Sequence, residues 1–171
     1  MSSLVLTHLA LDYDRTITTA NGPIDPYLRM RPVDPLVIPV LEKARERRIK
    51  LVLTSNTTGD HDRRWVLEET GVLHLFDQVF ESWKIGLGKP NPEFYRRVIA
   101  ATRAKPEQIM FIGDNLVDDV IAPVQHGTQA ALVRHPDLPE ERRTMLPPAM
   151  AKTASVRVIE HLSDLIPLLG L

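Results

Sequence analysis

At 171 residues with 43% apolar content, the chain is long enough for one domain with a sizeable core. Its 21 basic and 22 acidic residues leave a formal charge of −1, which gives no electrostatic reason to expect nucleic acid or an anionic membrane as partner. Cysteine is absent, so disulfides, thiolate zinc sites and thiol nucleophiles are excluded, and the composition fits a reducing cytoplasm.

The first apolar run, from Leu4 to Leu6 and then Leu9 to Leu11, predicts a strand over residues 5–11. It is short, lacks a basic flank and ends at Asp12, unlike a signal peptide. No stretch approaches the roughly 18 apolar residues of a membrane span. Residues 18–32 are irregular, with turn formers beside Tyr27, Arg29 and Arg31. Asp34-Pro35 reads as a helix cap, followed by Leu36, Val37, Val40, Leu41 and Ala44 on one face; Pro39 is the alternative start. Further strands are expected at 49–53, 79–81, 109–112, 130–133 and 156–159. Helices are expected at 62–70, stopped by Gly71, from Asn91-Pro92, with Phe94, Val98 and Ile99 inward, at 117–126, kinked at Pro123, and at 162–169. Residues 136–155 form a second irregular stretch. Loops of this length are often functional. Strands with few polar positions, alternating with helices, predict one α/β domain over 1–171: a three-layer, Rossmann-like α/β/α sandwich around a mostly parallel sheet. Its core spans about 4–135.

Ligands of such sheets gather at the carboxyl ends of the strands. That edge collects Asp12 and Asp14 after the first strand, then Thr54, Ser55 and Asn56 after the second. Gly113, Asp114 and Asn115 follow the fourth, with Asp118 and Asp119 beyond, and Lys89 precedes a helix. Two carboxylates as close as Asp12 and Asp14 call for a cation, or for one ionised and one protonated acid. Oxygen donors of this kind suit Mg²⁺ with waters and substrate phosphate. A nearby lysine and hydroxyl would hold phosphoryl oxygens, and the set fits phosphoryl transfer to a carboxylate.

These segments resemble the haloacid dehalogenase superfamily of phosphohydrolases. Asp12-Tyr13-Asp14-Arg15-Thr16 matches its D-x-D-x-T motif, and Thr54-Ser55-Asn56 the second motif. Lys89-Pro90 matches the third, and Gly113-Asp114 with Asp118 and Asp119 the fourth. The resemblance implies that Asp12 is a nucleophile forming an aspartyl-phosphate and Asp14 the acid and base. Ser55 and Lys89 would stabilise the transferring group. Asp12, the backbone carbonyl of Asp14, and Asp114 would bind Mg²⁺, with Asp119 preferred over Asp118 in support. Thr54, Asn56 and Arg15 are further substrate contacts, although Arg15 departs from the usual family residue and could equally point outwards. The acid at Asp14 favours a phosphatase over a dehalogenase by family logic.

The intervals 12–55 and 55–89 each already contain a helix and a strand. Neither holds an independently folded cap, because chains below about 40 residues rarely fold alone. The expectation is a capless enzyme with an open site. Such a site admits a phosphorylated small molecule or a macromolecular phosphate ester, or is closed by a second subunit. Tyr27, Arg29 and Arg31 are expected at its entrance. The competing readings are a phospho-accepting receiver switch and a non-catalytic scaffold.

Overall fold

The computed structural model describes residues 5–143 and 145–171; Leu4 of the first apolar run and Thr144 of the second irregular stretch lie outside them. Six strands form one sheet: β1 (His8–Leu11), β2 (Lys50–Ser55), β3 (Gln78–Glu81), β4 (Ile109–Gly113), β5 (Gln129–Val133) and β6 (Val156–Ile159). Their order is β3-β2-β1-β4-β5-β6, and every neighbouring pair is parallel. The order reverses beside β1, so the crevice at its carboxyl end is the topological switch point where open α/β sheets bind ligands.

The pleat divides the core. Leu9, Leu11, Leu51, Leu53, Met110 and Ile112 face one layer of helices, α1 (Ile38–Glu46), α2 (Arg63–Glu69) and, at the chain end, α7 (Leu165–Leu169). Ala10, Val52, Ile109 and Phe111 face the other, where α3 (Ser82–Ile85) packs Ile85 and α4 (Pro92–Thr102) contributes Phe94, Tyr95 and Val98. Two-sided burial explains why these strands read as apolar runs rather than alternating ones. Among the described residues no helix is long and apolar enough to cross a membrane.

Local departures from expectation have physical causes. The first strand is shorter than 5–11, and Val5 is exposed. Asp34 caps a turn, its carboxylate accepting from Leu36 N–H at 2.9 Å, so α1 begins only at Ile38 and Leu36 is left exposed rather than on the buried face. Asn91 opens α4 as the sequence suggests, its side chain accepting from Glu93 N–H, whereas Asp62 caps α2 from outside the helix by accepting from Trp65 N–H. Instead of a simple kink, Pro123 is preceded by a π-helical turn at Leu116–Ile121, which runs into α5 (Ala122–Val124). The proline ring would crowd the carbonyl of Asp119 in a regular helix, and the wider turn relieves that. The described residues of the second irregular stretch pack back on the molecule. Leu138 is buried, and Leu146 and Met150 pack against Val120, Ala130, Leu132 and Val156, with a short helix α6 (Pro148–Ala151) among them.

Candidate active site

β1 delivers Asp12 to the switch point, with its N–H bonded to Ile112 O at 2.8 Å. The next residue, Tyr13, turns wholly into the core and donates its hydroxyl to Arg31 O at 2.7 Å. Three consecutive N–H groups, of Thr16, Ile17 and Thr18, close onto Tyr13 O, and Arg15 adopts a left-handed φ of 57°. This tight turn leaves Asp14 at the surface of the same cavity as Asp12, its side chain 42% exposed and paired with Arg31 at 3.2 Å and Arg15 at 3.5 Å.

A cavity of about 200 Å³ is lined by Asp12, Asp14, Ser55, Asn56, Arg63, Lys89, Asp114, Asn115, Asp118 and Asp119. Lys89 is almost fully buried, and its ammonium donates to Asp12 Oδ1 at 3.1 Å and Asp119 Oδ1 at 2.6 Å. Burial alone would lower its pKa, but the charges of Asp119 and Asp12 win and hold it above the usual lysine range. Burial pushes Asp12 up to about 6, against the lowering influence of Lys89. Burial likewise raises Asp118 and Asp119. Carboxylate oxygens of Asp12, Asp114 and Asp119 lie within 4.8 Å of one another. One ammonium faces this group of acids, so a divalent cation suits the charge and the all-oxygen donor set, and Mg²⁺ fits both.

Asp119 has a second duty. Its Oδ2 accepts from Asn115 N–H at 3.1 Å, so both its oxygens are engaged and it seats Lys89. The less buried Asp118 faces the same cavity. Asn56 grips the Lys89 backbone from both sides, accepting its N–H at 2.8 Å and donating to its carbonyl at 2.8 Å. Two glycines permit these approaches. A Cβ on Gly88 would lie 2.4 Å from Asn56 Oδ1, and one on Gly113 would lie 2.0 Å from Asp119 Oδ2.

Two sequence-predicted contacts are not brought to the cavity. Thr54 is buried in β2 with its hydroxyl toward Leu11 O at 3.5 Å, because the strand's alternation that presents Ser55 turns Thr54 away. Arg15 sits behind Asp14 in a neighbouring hollow with Thr16, Thr18 and Thr19. Tyr27 also lies elsewhere, its ring 5.6 Å from Trp65 and its hydroxyl donating to Glu69. Sequence reading missed Arg63. The first residue of α2, it lies over the Tyr13 ring at 4.3 Å, with Nε 3.4 Å from Ser55 Oγ. The buried carboxylate of Glu81 accepts its backbone N–H at 2.8 Å and so fixes that helix start. The available signal was position: an arginine opening the helix that follows Thr54-Ser55-Asn56.

An all-parallel sheet with acids, a hydroxyl and a buried lysine converging at its switch point defines a hydrolase of the Rossmann-like α/β class. The chain belongs to the haloacid dehalogenase-like hydrolases, whose family model matches residues 9–127. The phosphoserine phosphatase of Thermus thermophilus is 33% identical over 113 residues, covering 66% of this chain and 45% of that protein. The chain thus spans less than half the length of that curated relative. A solved HAD phosphatase from Thermococcus onnurineus shares 26% identity at a TM-score of 0.63, covering 83% of this chain and 60% of that one. The L-2-haloacid dehalogenase of Xanthobacter autotrophicus has the same fold, with a TM-score of 0.71 at 17% identity over 97% of this chain and 99% of that one.

Proposed function

We propose that this hydrolase is an Mg²⁺-dependent phosphatase that acts on a phosphate monoester through an aspartyl-phosphate. The observation that carries the reading is the shared cavity of Asp12, Asp14, Ser55 and Lys89. Asp12 attacks phosphorus, forming an O–P bond as the ester P–O bond breaks, and Asp14 gives its proton to the leaving oxygen. Asp14 then takes a proton from water, whose oxygen attacks the phosphoryl group, releasing inorganic phosphate and restoring both acids. Lys89, Ser55 and Arg63 hold the non-bridging oxygens, where charge develops. Asp12 and Asp114, with the Asp14 carbonyl and Asp118 or Asp119 in support, would hold Mg²⁺. When bound it supplies further neutralisation of phosphoryl charge.

Asp14 also separates this reading from a dehalogenase. A halide leaves without needing a proton, whereas an alkoxide does not leave readily without one. The open cavity accepts a small phosphorylated metabolite, or a macromolecular ester, without a cap, and a second copy of the chain could close it. The cysteine-free composition fits a reducing compartment such as the cytoplasm.

Turnover of p-nitrophenyl phosphate by the purified chain, with Mg²⁺ and with EDTA, tests the reading. Metal-dependent release of phosphate is expected, and Asp12→Asn should reduce it by about 10³-fold or more. Full activity in that variant removes Asp12 as nucleophile. Halide release from a 2-haloacid without phosphatase activity favours the dehalogenase instead.

A further inference from the structure

Next to the carboxylate cavity lies a second recess of about 220 Å³, lined by Asp14, Ile24, Arg29, Met30, Arg31, His61 and Arg63. The two share Asp14 and Arg63 as a common wall. Their charges are opposite. One is lined by five carboxylates with Lys89 and Arg63, while the other is lined by three arginines and a single carboxylate. In a protein of net charge −1 such a concentration of arginine has no bulk explanation.

The three arginines are not equally committed. Arg31 donates Nε to Gly22 O at 2.8 Å and Nη1 to Asp14 at 3.2 Å. Arg63 is held between Tyr13, Ser55 and Met30. Arg29 is exposed, and its guanidinium has no partner among the described residues. It is held at the rim by a backbone turn, with its N–H on Asp25 O at 2.8 Å, Asp25 N–H on Met30 O at 3.0 Å and φ at 58°. Two anchored cations and one unpaired guanidinium form a seat for an anion.

We infer that this recess holds a carboxylate carried by the leaving portion of the substrate, with Arg29 as its principal ligand. The inference rests on the phosphatase reading, because it is Asp14, the wall between the two cavities, that meets the leaving oxygen. A phosphoryl group beside Asp12 must therefore extend its ester carbons over Asp14 and into the arginine recess. The planar guanidinium fork matches a carboxylate in two parallel hydrogen bonds. The small volume must also hold the connecting carbons, so the substrate is a short phosphorylated carboxylic acid.

The test is binding, read independently of turnover. 3-Phosphonopropionate and propylphosphonate differ only in the terminal carboxylate, and neither can be hydrolysed at its C–P bond. Calorimetry on the full chain with Mg²⁺ should find the carboxylate-bearing ligand roughly tenfold tighter or more, as expected for charge-assisted hydrogen bonds. Arg29→Gln should shrink that ratio to about threefold or less, and Arg29→Lys should keep part of it. Equal affinities in the unaltered chain, no binding of 3-phosphonopropionate, or an undiminished ratio in Arg29→Gln each overturn the proposal. Metal-dependent turnover of p-nitrophenyl phosphate alongside such a result leaves the phosphatase reading standing and rejects only the seat.

Discussion

The two ends of the sheet carry hollows that differ in an instructive way. At the amino end a recess of about 450 Å³ is lined by Val5, Leu6, Ile49, Met110, Leu168, Leu169 and Leu171, with Arg47, Gln129 and Arg157 at its margin. The carboxylate cavity at the carboxyl end is less than half that size, yet it gathers Asp12, Asp14, Lys89, Asp114, Asp118 and Asp119. Volume does not explain the chemistry, because a hollow of about 680 Å³ lined by Asn56, Thr57, Ser82, Trp83, Gly88 and Lys89 also lies at the carboxyl end, beside the carboxylate cavity. What separates them is backbone direction: in a parallel sheet every strand leaves at the same edge, so residues following each strand converge there.

The sharpest way to strain this contrast is to remove the cation between the acids. Lys89→Met leaves Asp12 and Asp119 facing each other without their ammonium. Breaking a buried pair in this way is expected to reduce stability by about 3–5 kcal/mol in metal-free protein at neutral pH, and to abolish turnover. Urea unfolding in EDTA measures the first effect; an unchanged midpoint would mean that the carboxylates had already been neutralised. At the other end, Ile49→Ala should lower stability by about 2–3 kcal/mol through lost apolar burial. Activity per folded molecule should stay within about twofold. A loss of kcat comparable to that of Lys89→Met would show that the amino end participates after all.

The smallest effect belongs to His8, at the amino end of β1. Burial, reinforced by the Lys50 charge, lowers its pKa. The unfolded chain therefore binds more protons between that lowered value and about 6.5, and the His8 contribution to stability is lost as pH falls through this window. An NMR titration of the His8 ring should give a midpoint below 6.5, and one at or above that value would contradict the assignment.

The same contrast governs what could be read from the sequence. All six strands were visible, because parallel strands buried on both faces are written as short apolar runs between helical patterns. Asp12, Asp14, Ser55, Lys89 and Asp114 were visible because strand ends and short motifs mark them. Arg63 and Asn56 were not readable in their actual settings, because those depend on contacts across the sheet edge: a helix start pinned by Glu81 and a backbone clamp on Lys89. That Thr54 does not reach the cavity beside Ser55 follows from the alternation of β2, which turns its hydroxyl toward Leu11 O. The exposed Leu36 and the π-helical turn before Pro123 were settled by local capping and proline sterics, which periodicity alone does not register.

The bare Cα of Gly113 has a consequence that reaches beyond its own strand. The carboxylate that orients the ammonium occupies the space where any other amino acid would put its first side-chain carbon. A single methyl introduced there would evict Asp119 without replacing an ionisable group, and the ion-pair chain from Asp119 through Lys89 to Asp12 would lose its anchor. Spare room beside one residue, as much as any acid or base, holds this centre in working order.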